Sequence, residues 1–288
     1  MLTTLCWGFN AILGRLAVGE VSPMLLVTIR WFGVVMLLMV IARRSFSKDW
    51  PVLRENLWIV AFLGAVGFTG FNSLFYIAAH STGAINIGII QGSIPVFVML
   101  GALIAYGTRV TGLQIVGVGI TLIGVVCVAA RGDLQRLATL DLVRGDMYML
   151  IACLLYSVYT IALRRRPDVS ALSLFCVLAF AALITSIPFA VGEMILGRAQ
   201  WPSTNGWIII GLICIFPSFV AQLAFINGVS LIGPGRAGVF VNLVPIFAAT
   251  LAVFILREPF RGFHAISLVL VLLGIALSEK GKPTDKKG

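Results

Sequence analysis

The stretch "GIIQGSIPVF", residues 88–97, lies in a long apolar run yet carries two glycines, a glutamine and a proline. Sliding the chain along itself by 150 residues sets it on "GVFVNLVPIF", residues 238–247, with Gly88 on Gly238, Pro95 on Pro245 and Phe97 on Phe247. The same offset then pairs Ala102 with Ala252, Gly112 with Gly262, Leu122 with Leu272 and Gly124 with Gly274. Upstream, an offset of 149 pairs Trp58 with Trp207 and Leu74 with Leu223. One match in apolar sequence means little, but an ordered series is the mark of internal duplication.

The 288 residues are 60% hydrophobic and 11% charged, against about 25% charged in soluble domains. Crossing a bilayer takes about 20 apolar residues, and ten such runs are found: 1–18, 23–42, 56–79, 83–105, 110–130, 146–164, 169–192, 206–228, 232–256 and 260–278. Pro23, Pro51, Pro167, Pro202 and Pro234 punctuate their ends, where a missing N–H costs least. The expected fold is an all-α polytopic membrane protein of ten transmembrane helices. Residues 1–130 form a first module, 131–145 a connecting loop, 146–279 a second module and 280–288 a basic tail. Five is an odd number, so the second module enters the membrane from the opposite face. That makes the duplication an inverted repeat, an architecture used by many secondary transporters. A cleaved signal peptide is the alternative for the first run, but no positive segment precedes it.

The net charge of +10 raises the question of a nucleic-acid partner, and its distribution answers with the positive-inside rule. With both termini cytoplasmic, the inner loops and tail hold twelve of the Lys and Arg residues, including Arg43, Arg44, Arg109 and Arg164 to Arg166, and the outer loops hold six. The partners expected are therefore a small-molecule substrate and the lipid bilayer, without nucleic acid. Monomer and homodimer both stay open.

Pro95 and Pro245 cannot donate to the carbonyls four residues back, at Gln91 and Val241, so each is expected to kink its helix near the membrane midplane. Gly88 and Gly92 give a GxxxG step that lets a neighbouring helix approach. Gly88, Gly92, Pro95, Gly238 and Pro245 are read as hinges, with plain helix packing as the alternative. All eleven acids fall at helix ends, in loops or in the tail, so no carboxylate is expected in mid-membrane to exchange protons for a cation. His80 is the remaining titrating group, and an interfacial ring fits its position as well. Arg30 lies about 10 Å into its run by the helical rise, near enough to reach the surface, and Arg15 could pair with Glu20. "GPGRAG" around Arg236 fits a dinucleotide motif in spelling only, since no strand precedes it. The five cysteines lack metal-ligand spacing. Neither a metal nor a cofactor is expected, and no constellation suggests an enzyme.

The neutral polar residues within the runs are better candidates for a site: Asn10, Asn72, Asn86, Gln91, Gln222, Asn227 and Asn242, accompanied by Tyr76, Tyr156 and Tyr159. Pockets combine such rings with a few placed polar groups.

"WGFN" at 7–10, "SPMLLVTIRW" with Pro23 ahead of Arg30, "GAINIGIIQGSIPVF" and "GLQIVGVGITLIGVV" resemble, in order, the first EamA repeat of the drug/metabolite transporter superfamily. "GPGRAGVFVNLVPIFAATLAVFILREPF" followed by "LVLVLLGIAL" resembles the second. Within the superfamily the chain looks most like bacterial inner-membrane exporters of amino acids, aromatic ones included. The resemblance implies ten helices with cytoplasmic termini and a central cavity lined by helices 1, 3, 4, 6, 8 and 9. On this chain that singles out Asn10, Tyr76, Asn86, Gln91, Tyr156, Tyr159, Gln222, Asn227 and Asn242 as substrate-binding residues. Thr108 stands where the family has a glutamate after the fourth helix, while Glu258 keeps it after the ninth. "YSVY" replaces "WGFN" in the sixth helix. The expected function is export of small neutral or zwitterionic metabolites, amino acids including aromatic ones, by alternating access, as uniport or exchange. The alternatives are an organic-anion or nucleotide-linked solute carrier using Arg30 and Arg236, and a membrane protein with a purely structural role.

Overall fold

The computed structural model describes residues 1–108, 110–133, 143–232 and 240–281. Gly238, Arg236, Pro234, Arg109 and the tail beyond Gly281 lie outside the described residues. Among those described, regular structure is helical without strands, and eight helices are long and apolar enough to cross a bilayer. The first part of the chain contributes α1 (Leu2–Leu16), α2 (Pro23–Ile41) and α3 (Arg43–Glu55). There follow α4 (Leu57–Gly64) running through a π segment, Ala65–Gly70, into α5 (Phe71–Ala79), then α6 (Ala84–Gln91), α7 (Ile94–Tyr106) and α8 (Gly112–Ala129). The rest supplies α9 (Arg144–Ala162), α10 (Ala171–Ile195), and α11 (Thr204–Ile213) running through a second π segment, Cys214–Val220, into α12 (Ala221–Ile232). A shorter apolar helix, α13 (Val244–Leu256), and α14 (Gly262–Lys280) close the sequence.

The outer face of the bundle is apolar. Val40, Ile104 and Phe254 are each about four-fifths exposed, which is tenable in hydrocarbon and not in water. Trp58, Trp201 and Trp207 stand exposed near helix starts, as interfacial rings do.

Two features differ from the sequence reading. The basic connection after α2 is itself a helix, and Pro51 lies inside that helix instead of ending one. Asp49 of α3 accepts from the backbone N–H of Ser170 at 3.0 Å, and the Ser173 and Ser170 side chains beside it hold its carboxyl below the usual carboxylate range by favouring the ionised form. The second difference is at the prolines. The helix does not bend at Pro95 but stops and restarts. Gly92 and Ser93 turn back onto Ile89 and Ile90, and Ser93 then begins α7 by accepting from Val96 and Phe97. The same happens 150 residues on: residues 240–241 are helical, 242–243 turn, and Leu243 accepts from Phe247 as α13 begins. In each case proline occupies the first turn of a new helix, where no N–H is wanted.

Small residues let the helices meet closely. A side chain on Gly88 would collide with Ala248 of α13, and one on Gly92 would come within 2.6 Å of Val271 of α14. Along α8 and α14, Gly117 lies against Gly274 while Gly124 lies against Ser267. Moving both members of one contact by 150 residues gives the other. The π segments follow the same spacing, Ala65 beginning one and Cys214 the other at an offset of 149. Gly107 and Arg257 also match, both ending their helices in the left-handed conformation.

Carboxylates of the later part of the chain cap helices of the earlier part. Glu258 accepts from the N–H groups of Ala84 and Ile85 at 2.8 and 3.1 Å. Glu193 accepts from Leu25 N–H and from the Ser22 hydroxyl. Asp146, fully buried, accepts from Thr82 at 2.5 Å and from Asn86. A charged acceptor at a helix N-terminus contributes about 1–2 kcal/mol. Glu258→Ala should accordingly lower the thermal midpoint of the detergent-purified protein by several degrees and Glu258→Gln by less; an unchanged midpoint in the alanine variant would contradict the capping role. Gly274→Leu, which drives a side chain into α8, should yield little monodisperse protein by size-exclusion chromatography.

Candidate functional site

The interruptions of the helices converge on one place. Both π segments, both proline restarts and the middle of α1 and α2 border a single cavity of about 120 Å³, several times the volume one water needs. Among the described residues six aromatic rings stand in its wall, those of Trp7, Trp31, Phe68, Phe71, Tyr156 and Phe175. Trp7 packs on Phe225 at 5.6 Å, Phe71 on Tyr156 at 5.1 Å, and Trp31 stacks on Phe68 at 4.7 Å with the rings 4° apart. Its polar groups are Asn10, Asn72, Gln91, Gln222, Asn242, Ser218 and Arg30. No carboxylate is found among the described residues that line it.

Of the nine binding residues expected, Asn10, Gln91, Tyr156, Gln222 and Asn242 line this cavity, with Gly92, Pro95 and Pro245 from the hinge set. Four do not. Tyr76 lies behind the wall, its hydroxyl donating to Asn10 at 2.9 Å. Asn86 is taken up by Asp146. Tyr159 is buried against Gly67 and Phe68, and Asn227 is exposed beyond the cavity. Gly88 serves the contact with α13. His80 is exposed at the end of α5, with Nδ1 3.0 Å from the Tyr76 carbonyl, and does not line the cavity.

Arg30 is the residue the sequence reading misplaced. It does not reach for the surface. Only 5% exposed, it borders the cavity. Nε donates to Ser218 Oγ at 2.7 Å, and Nη1 donates to Asn72 Oδ1 at 2.5 Å and to Tyr76 Oη at 2.7 Å. The guanidinium also lies 5.0 Å from the Trp31 ring, a cation–π contact. Placing such a charge at a helix centre costs about 2.5–3.5 kcal/mol on insertion scales, and hydrogen bonds to a charged group return about 1.5–3 kcal/mol each. The partners are prepared by local structure. Pro217 has no N–H to give to the Ile213 carbonyl, and the Ser218 hydroxyl donates to that carbonyl instead at 2.6 Å. Its oxygen is thereby oriented to accept from Arg30. Asn72 and Tyr76 sit four residues apart on one face of α5. Tandem polar residues at helical spacing facing a lone arginine in an earlier run were the signal available in the sequence. Arg15 likewise finds a carbonyl, that of Ala79, and Glu20 accepts from Ser203 instead of pairing with Arg15.

The cavity is closed at one end. Between it and the loops at 17–22, 80–83 and 257–261, Ala11 to Gly14, Phe75, Tyr76, Ile85 to Ile90 and Ala248 are all buried. In the other direction Val96 is the one buried residue of α7, and residues 222–228 are partly or fully exposed.

The EamA-like transporter family model matches residues 1–130 and 143–279 of this chain. An uncharacterized transporter of Bacillus subtilis (strain 168), YyaM, is 28% identical over 279 residues, which cover 91% of this chain and 86% of that protein. A probable amino-acid metabolite efflux pump of Escherichia coli (strain K12) is 24% identical, covering 98% of this chain and 93% of the pump. A solved crystal structure superposes with a TM-score of 0.65 over 96% of this chain and 93% of its own, at 21% identity, a likeness of fold. Sequence, helical architecture and family match agree: the chain belongs to the EamA-like transporter family and is a multi-pass membrane transporter, not an enzyme.

Proposed function

We propose that this protein exports small neutral or zwitterionic metabolites, amino acids with aromatic or large apolar side chains among them, by alternating access between two five-helix modules of opposite orientation. The observation that carries this reading is the cavity itself. It combines aromatic walls suited to a side chain with neutral amides and one cation suited to polar head groups, and it lies where helices from both parts of the chain are interrupted. The relative named as an amino-acid metabolite efflux pump supports the same class.

The exchange of contacts under a shift of 150 residues, at Gly117–Gly274 and Gly124–Ser267, supports a two-fold relation between the modules. The paired π segments and restarts support it too. A π turn and a helix break are local faults in an otherwise rigid hydrogen-bond ladder, and having them in matched pairs gives each compartment an equivalent set of hinges. By the positive-inside rule both termini are cytoplasmic in the bacterial inner membrane, and the sealed end of the cavity faces outward. The conformation described is then the inward-facing or inward-occluded one. Uniport or exchange is the transport mode that fits a site whose described lining holds Arg30 and neutral groups. An organic-anion carrier is the second reading, favoured by Arg30 at the cavity.

Purified protein in liposomes loaded with unlabelled L-phenylalanine should accumulate labelled L-phenylalanine transiently by counterflow, at a rate several-fold above protein-free vesicles. An imposed pH gradient should leave the plateau unchanged. Absence of counterflow across a panel of neutral amino acids would overturn the substrate class, and accumulation driven by the pH gradient would overturn the uncoupled mechanism.

A further inference from the structure

Several polar groups in the cavity are left with bonding capacity, Trp31 Nε1 among them, and two of them have the complementary character that a zwitterion needs. Arg30 has five N–H donors; its hydrogen bonds employ Nε and Nη1, and among the described residues Nη2 makes none. Every partner it has among the described residues is neutral, so there its charge is solvated but not neutralised. The second group is Gln91, whose Oε1 is buried with no hydrogen-bond partner. It sits at the last residue of α6, beside the break, and lines the same cavity. One wall thus offers an uncompensated cation with free donors, and another offers an unfilled acceptor. Water can occupy both, but no rearrangement of the neighbouring neutral side chains can cancel the charge.

We propose that Arg30 and Gln91 are the two poles of a zwitterion clamp: Arg30 receives the substrate's carboxylate through Nη2, and Gln91 Oε1 accepts from its ammonium group. This rests on the amino-acid reading above and assigns the carboxylate to Arg30, leaving the remaining amides to pack and orient. Asn72, Tyr76 and Ser218 act as positioning residues, holding the guanidinium from the far side so that its free edge points at the substrate. The arrangement selects for a carboxylate first, because an uncharged head group would leave the buried cation without a counter-charge.

The test compares initial uptake of three probes by proteoliposomes of the full chain: L-phenylalanine, L-phenylalaninamide, which lacks the carboxylate, and 3-phenylpropionate, which lacks the ammonium. In the wild type the amino acid should enter at least tenfold faster than its amide. Arg30→Gln should lose that advantage and Arg30→Lys should keep part of it, while Gln91→Leu should narrow the gap between L-phenylalanine and 3-phenylpropionate. Equal uptake of amide and amino acid by the wild type overturns the clamp while the amino-acid reading stands, and this comparison decides even if Arg30→Gln fails to fold. Arg30-dependent uptake of 3-phenylpropionate alone upholds the carboxylate pole and overturns both the ammonium pole and the amino-acid reading. Uptake of none of the three overturns both proposals.

Discussion

A guanidinium fixed inside a membrane bundle by neutral partners is the constraint on which the rest of the site depends. Arg30 of α2 reaches Asn72 and Tyr76 of α5 and Ser218 of the second π segment, and Tyr76 passes the connection on to Asn10 of α1. Four stretches of chain far apart in sequence are therefore registered against one charge. Tyr76, buried behind the cavity wall, could not drop its bonds cheaply, because its hydroxyl has no other partner within reach among the described residues. The aromatic walls follow from the same arrangement: Trp31, next to Arg30, stacks on Phe68, and Phe68 meets Tyr159 and Phe175.

The fold was legible in large part because hydrophobic length and repeated spacing are one-dimensional signals. The apolar runs that became the eight long helices, the offset of 150 residues and the pairing of Gly124 with Gly274 could all be read from the sequence. The broken helix was foreseen at Pro95 and Pro245, although as a bend; the turn at Gly92 and Ser93 depends on how the backbone re-bonds after losing a donor, which composition does not state. The π segments were not foreseen. Only Pro217, in one of the two, gave a local hint, and Ala65–Gly70 contains no proline.

Half the site escaped for a related reason. Asn10, Gln91, Tyr156, Gln222 and Asn242 border the cavity as expected, yet Tyr76, Tyr159 and Asn86, which share their chemistry, are engaged with neighbours behind its wall. Residue type alone does not say which face of a helix is turned inward when the helix is buried on several sides. Arg30 was misplaced by distance reasoning: a long side chain within reach of the surface was assumed to take it, whereas three acceptors already in place made the interior the better solvent.

Three of the carboxylates at the sealed end have a consequence for biogenesis. Glu193, Asp146 and Glu258 all belong to the later part of the chain, and the groups they accept from, at Ser22 to Leu25 and Thr82 to Asn86, all belong to the earlier part. Synthesis runs from the amino end, so α2 and α6 enter the bilayer with their first amides bare and must wait for acceptors that the ribosome has not yet made. The earlier part of the chain is thus not independent of the later part. The nascent amino-terminal portion is an unfinished surface, and completion of the carboxyl-terminal portion is what locks it.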